Sequence, residues 1–179
     1  LCFGEGEASF TGLLEGIAEN RLQDTKGIAI RNSEGIPEMH EAADYPRDLD
    51  FPSPYLDGWF DSILERYPDI HFNAILETSR GCPNRCAYCD WGLLKSKTRQ
   101  VPMEKVLAEI DWMADHKIYF VWGADANFGM FSRDLDIADA LVNAKARTGF
   151  PERMRINYAK NSYDRVFEII GKFNKCNFD

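Results

Sequence analysis

The chain has 179 residues, 45% of them hydrophobic and 13% aromatic, which is enough apolar surface for a packed core and excludes global disorder. Its 29 acidic against 21 basic residues give a net charge of −8, the wrong sign for a protein that grips a phosphate backbone, and no nucleic-acid signature is read. No stretch approaches the roughly 20 apolar residues that a membrane-spanning helix needs, and none reads as a signal peptide.

Residues 1–21 open on Gly4, Glu5, Gly6 and Glu7. Phe10, Leu13, Leu14, Ile17 and Ala18 then share one face, which predicts a helix with Ser9 as its N-cap. A glycine turn feeding a helix can hold an anion, but the two glutamates would repel one. Residues 27–31 read as a short strand followed by a turn through Asn32 and Gly35. Pro37, Pro46, Pro52 and Pro54 punctuate the acidic stretch that follows. It is too aromatic for a free tether and is expected to pack against a folded body. Residues 59–67 read as a short helix ended by Pro68.

From residue 72 the rhythm alternates between strand and helix. Strands are predicted at 72–77, 118–122 and 154–158. A helix over 102–116 places Val106, Leu107, Ile110, Met113 and Ala114 on one face, with Pro102 in its first turn. A second, over 132–148, carries Leu135, Ala138, Leu141, Val142 and Lys145, and Gly149 and Pro151 end it. A third, capped by Asn161 or Ser162, carries Val166, Phe167, Ile170 and Phe173. This βαβαβα order predicts an α/β fold with a parallel sheet.

The five cysteines are odd in number, and three of them, Cys82, Cys86 and Cys89, fall within eight residues. That pattern points to metal binding in a reducing, cytoplasmic setting and away from a disulfide framework. The three lie on a long loop after the first strand of the alternating region, at the carboxyl edge where α/β folds build their sites. The spacing Cys-x-x-x-Cys-x-x-Cys supplies three thiolates without a nearby fourth. A 4Fe–4S cluster held this way keeps one iron open to a small molecule. Gly81 allows a tight turn and Pro83 fixes part of the loop. The alternative is zinc completed by His71 or Cys176. His71 begins the strand, roughly seven residues and about 20 Å from the loop at about 3.3 Å per residue. Cys176 follows the last helix, near the opposite edge.

The loop resembles the signature of the radical S-adenosylmethionine superfamily, Cys-x-x-x-Cys-x-aromatic-Cys, with Tyr88 in the aromatic position. Ser79, Arg80, Gly81, Cys82 and Pro83, the prolines at 52 and 54, and the opening Gly4, Glu5, Gly6 and Glu7 resemble its cobalamin-binding branch. The resemblance implies that Cys82, Cys86 and Cys89 hold the cluster. Its open iron would chelate S-adenosylmethionine, and one electron would cleave that cofactor to a 5′-deoxyadenosyl radical. It places Tyr88 against the adenine. Many members carry a Gly-Gly-Glu-like stretch after the second strand that receives the cofactor's ammonium. Here Gly123, Asp125 and Asn127 occupy that place, and Asp125 stands where the family has Glu. A turn or capping role competes for Asp125. Asn127, with Asn157 and Lys160 after the third strand, is a further candidate for cofactor contacts.

The expected architecture is therefore a partial TIM-like (β/α) barrel of three strand–helix units over 72–179, a linker with a short strand and helix over 22–71, and the tail of a Rossmann-like cobalamin-binding domain over 1–21. The chain begins at Leu1 and is expected to be a piece of a longer protein. The expected cofactors are a 4Fe–4S cluster, S-adenosylmethionine and cobalamin. The expected partners are a small-molecule substrate and a reductant such as a flavodoxin or ferredoxin. The competing readings are a non-catalytic iron–sulfur protein and a zinc-stabilised binding module. Lys95, Lys97 and Arg99 read as a solvated basic face or an attractor for an anionic substrate. Trp91, Trp112 and Trp122 read as core or rim, and His40 and His116 as surface.

Overall fold

The computed structural model describes residues 1–89 and 98–178. It divides into two compact units, Leu1–Arg47 and Asp48–Asp179, so the boundary falls inside the stretch read as a linker. Among the described residues no helix is long and apolar enough to cross a membrane.

In the first unit, helix α1 covers Gly6–Ala18. It begins before the expected cap. Glu5 is the N-cap, and Ser9 lies buried inside the helix with its hydroxyl donating to the Glu5 carbonyl at 3.2 Å. A 3-10 turn over Leu22–Asp24 leads to strand β1, Ala29–Arg31, which pairs antiparallel with β2, Pro37–Met39. The Asn32 side chain closes the hairpin by accepting from the amides of Glu34 and Ile36, both at 3.0 Å. Strand β2 was not expected. Its first residue is Pro37, a position a strand tolerates because no ladder donor is needed there.

The second unit opens on an extended segment whose aromatic residues do pack. Leu49 is buried, and Phe51 and Tyr55 lie against the core. Helix α2, Asp61–Arg66, is shorter than its expected span. Strand β3, Asn73–Leu76, then starts a three-stranded parallel sheet in the order β3–β6–β7, with β6 at Phe120–Gly123 and β7 at Arg153–Arg155. Asn73 pairs with Phe120, and Phe120 with Arg153. The Tyr55 hydroxyl occupies the free edge of β3, donating to the Ile75 carbonyl and accepting its amide, each at 2.9 Å.

Helices α3, Met103–Asp115, α4, Asp134–Thr148, and α5, Tyr163–Lys175, cover one face of this sheet. Ala74, Leu76, Val121 and Met154 point into a core with Val106, Ile110, Ile137, Leu141 and Ile169. Alternation along the strands puts Ile75 and Trp122 on the other face, 61% and 44% exposed. Between β3 and α3 a short antiparallel pair, β4 at Ser79–Arg80 and β5 at Arg99–Gln100, closes the root of the cysteine loop.

Gly129, in the loop from β6 to α4, has φ +91°, and an added Cβ would stand 2.9 Å from Val166 Cγ2 of α5. Gly129→Ala is expected to destabilise the fold by about 1–3 kcal/mol, from strained backbone and overpacking together. Denaturant melts check this; a parent-like midpoint would contradict it.

Candidate metal centre

The root of the cysteine loop is held by a buried carboxylate. Asp125 follows β6 and is 1% exposed. Its Oδ1 accepts the Thr78 amide at 2.7 Å, and its Oδ2 accepts the hydroxyls of Thr78 at 2.5 Å and Ser79 at 2.8 Å. The Thr78 carbonyl accepts the Val101 amide at 2.9 Å and Arg133 Nη2 at 3.0 Å. Thr78 is thereby fixed through each of its polar groups. Burial pushes the Asp125 carboxyl above the usual carboxylate range, against the pull of the Thr78 and Ser79 donors. Arg80 folds back onto Glu77 in a bidentate, half-buried pair, both contacts at 2.7 Å. Gly81, at φ +104°, then turns the chain into Cys82.

Cys82, Cys86 and Cys89 are free thiols, each half-buried. The Cys89 amide donates to the Cys86 carbonyl at 3.1 Å, which makes a tight turn between the last two. Two neighbouring loops present donors to the sulfurs. Asn127 Nδ2 donates to Cys82 Sγ at 3.1 Å, and Lys160 Nζ to Cys86 Sγ at 3.6 Å. Electrostatic attraction to the Cys86 side chain, with lesser help from Tyr88 and Cys82, raises the Lys160 ammonium above its ordinary pKa. Asn161 also reaches this loop, donating to Asn84 Oδ1 at 3.4 Å. Among the described residues, Asn127 Oδ1 is buried and meets no hydrogen-bond partner.

Among the described residues no three His, Cys, Asp or Glu side chains converge to hold a single metal ion. A cubane cluster asks for something different, because each thiolate ligates its own iron and the three sulfurs stand apart. Three unpaired thiols on one loop, with an amide and an ammonium turned toward two of them, suit such a group. His71 is elsewhere, stacked on Tyr119 with ring centroids 4.9 Å apart at the amino ends of β3 and β6. Cys176 ends α5 and packs against the core.

Comparisons with known proteins point to the same family as the sequence resemblance. The 2-(S-pantetheinyl)-carbapenam-3-carboxylate methyltransferase of Streptantibioticus cattleyicolor is 44% identical over 174 residues. The cobalamin-dependent radical SAM methyltransferase TokK of Streptomyces tokunonensis is 40% identical over 178 residues. The chain belongs to the cobalamin-binding branch of the radical S-adenosylmethionine superfamily. Each match takes in 94% of this chain, which spans about a quarter of the relatives' length, 26% in both cases. Among solved structures, the cobalamin-dependent radical enzyme OxsB with aqua-cobalamin bound matches 98% of this chain at a TM-score of 0.58 and 19% identity, over 26% of its own length. The methyltransferase TsrM from Kitasatospora setae, solved with cobalamin and a 4Fe–4S cluster, matches 98% at a TM-score of 0.57 and 12% identity, over 43% of its length. Both share the mixed α/β fold. No family model matches the sequence.

The radical S-adenosylmethionine pattern pointed to Tyr88, Asp125, Asn127 and Asn157 as further site residues. The fold brings Asp125 and Asn127 to the cysteine loop, but both are buried. Tyr88 is 86% exposed on the loop itself. Asn157 is exposed after β7, and its carbonyl accepts the Phe128 amide at 2.9 Å. Trp91, Lys95 and Lys97 lie outside the described residues, whereas Arg99 belongs to β5. Trp112 packs against Tyr55 and His116, at 5.0 and 4.2 Å between ring centroids. Trp122 lies under the Arg155 guanidinium at 5.0 Å.

Sequence reasoning missed Thr78, and named Ser79 only within the resembling segment and not as an anchor of the loop. It also missed Arg133 and Asp134 at the start of α4. Asp134 Oδ2 accepts the amides of Gly129 at 2.8 Å and Phe131 at 3.0 Å, and Arg165 Nη1 donates to the carbonyls of Gly129 and Met130, each at 2.9 Å. These contacts fix the β6–α4 loop that carries Asp125 and Asn127. Their only sequence signal was a polar cluster between two apolar periodic segments.

Proposed function

We propose that this chain is part of a cobalamin-dependent radical S-adenosylmethionine methyltransferase, with Cys82, Cys86 and Cys89 as the ligands of a 4Fe–4S cluster. The observation that carries this reading is the three-thiol loop at the carboxyl edge of the parallel sheet, with its root fixed by Asp125 and its sulfurs faced by Asn127 and Lys160. When bound, the cluster supplies the electron that cleaves S-adenosylmethionine to a 5′-deoxyadenosyl radical. The protein's part is ligation, orientation and exclusion of water.

In this reading β3, β6 and β7 with their helices are the first three units of a (β/α) barrel. The helix-free face carrying Ile75, Trp122 and Arg155 would line its interior. Residues 1–21 would belong to the end of a cobalamin-binding domain. Tyr88 and Asn157, exposed at the carboxyl edge, are the groups available to the adenosyl moiety. Both relatives are named as methyltransferases, and methyl transfer to a small molecule is the reaction we carry over. An external one-electron reductant of the flavodoxin or ferredoxin class and a reducing cytoplasm complete the proposal.

Anaerobic reconstitution of the full-length parent protein tests it. The expected product is brown, with about four iron and four sulfide per chain. With S-adenosylmethionine and dithionite it should form 5′-deoxyadenosine. A colourless protein holding one zinc would overturn the proposal. A brown protein that never cleaves the cofactor would favour the non-catalytic iron–sulfur alternative.

A further inference from the structure

Asn127 is an expensive residue where it stands. It is 2% exposed, its amide nitrogen donates to Cys82 Sγ at 3.1 Å, and its amide oxygen is buried without a partner among the described residues. A leucine has the same branched outline without that unsatisfied oxygen, so packing alone does not account for the amide. A thiolate accepts hydrogen bonds and cannot donate, which fixes the nitrogen as the end turned toward Cys82. Lys160, from the other side, brings a positive charge to Cys86 Sγ at 3.6 Å. The two donors come from different loops, after β6 and after β7, and reach different thiolates.

We propose that Asn127 and Lys160 are positioning residues that raise the reduction potential of the cluster on Cys82 and Cys86. The inference rests on the cluster reading above. Reduction adds one electron, taken from an external donor, and no bond forms or breaks. The added negative charge spreads onto the thiolate sulfurs. A hydrogen bond to one sulfur and a cation beside another therefore stabilise the reduced form more than the oxidised one. Asn127, buried, acts in a low dielectric and has the larger effect. Lys160, exposed, acts through a screened charge, and its share shrinks as salt is added. Asp125, two residues before Asn127, keeps the donor in register by tying the same loop to Thr78 and Ser79.

The test is a redox titration of the reconstituted full-length protein, without S-adenosylmethionine, followed by the electron-spin signal of the reduced cluster. Iron is counted first. A parent protein that takes up no iron overturns the cluster reading itself, before any variant is compared. Asn127→Leu should keep its iron and, poised at the parent's midpoint, show a ratio of reduced to oxidised cluster lower by about tenfold, a negative shift of about 59 mV for one electron. Lys160→Gln lies on the surface and leaves the fold alone. Its ratio should fall two- to threefold at low salt and return toward the parent at about 1 M salt. Full iron with an unmoved or raised midpoint in Asn127→Leu would overturn the proposal. If that variant does not fold, Lys160→Gln decides, and an unchanged low-salt midpoint there overturns it.

Discussion

Cys82→Ala, Cys86→Ala and Cys89→Ala are each expected to abolish cluster retention, with iron falling from about four per chain to a small fraction of one. Three thiolates are the whole protein ligand set in this reading, so none is redundant. Cys2→Ala and Cys176→Ala should keep the parent's iron. Cys2 belongs to the first unit, where it bridges Ile28. Cys176 caps the far end of α5, away from the strands' carboxyl edge where the loop lies. Iron and sulfide analysis after identical anaerobic reconstitution of the five variants checks the pattern. If Cys176→Ala lost its iron as completely as Cys86→Ala, a fourth protein ligand would be present and the open iron site would not exist. Circular dichroism of the apo forms separates ligand loss from misfolding. The three loop cysteines are half-buried and, among the described residues, stand outside the hydrophobic core, so their Ala variants should fold as the parent does.

The cysteine loop was legible because its information is local: three cysteines at fixed spacing after a strand. The three large helices were legible for a related reason, since each carries a periodic apolar stripe, and Gly149 at φ +83° ends α4 as expected. Boundaries were less so. Residues 118–122 were read as a strand from Ile118, yet β6 starts at Phe120. Lys117, at φ +55°, and the bond from the Ile118 amide to the Met113 carbonyl at 2.9 Å still belong to the end of α3. Residues 154–158 likewise shorten to Arg153–Arg155, with only a bridge from Tyr158 to Phe128 beyond. The surroundings of the sulfurs were not legible as contacts. Asn127 meets a cysteine 45 residues away and Lys160 one 74 away, and no periodicity encodes such a pair. Both were singled out from their place after a strand, but for contacts with a cofactor. The sulfur contacts follow from the parallel register of β3, β6 and β7, which carries three successive loops to one edge.

Asp125→Ala is expected to cost on the order of 3 kcal/mol or more, because it strips the acceptor from the Thr78 amide and from two hydroxyls in a buried site. In a unit of this size that lowers Tm by about 10 °C. The loop root should loosen with it, and iron uptake should fall even though all three thiolates remain. Asp125→Asn is the milder case. Its amide oxygen can still take the Thr78 amide, and the hydroxyls of Thr78 and Ser79 can rotate to accept from its nitrogen, so a loss of about 1 kcal/mol is expected. The family pattern makes a different forecast, in which the carboxylate receives the ammonium of S-adenosylmethionine. Asp125→Asn would then leave Tm and iron untouched and weaken cofactor binding by roughly ten- to a hundredfold. Both oxygens are already bonded to Thr78 and Ser79, and a residue 1% exposed offers an ammonium little approach. That geometry favours the anchor. Thermal melts of the apo proteins and a cofactor titration of the reconstituted ones separate the two. A parent-like Tm in Asp125→Ala would refute the anchor, and a large loss of cofactor affinity at parent stability in Asp125→Asn would restore the ammonium contact.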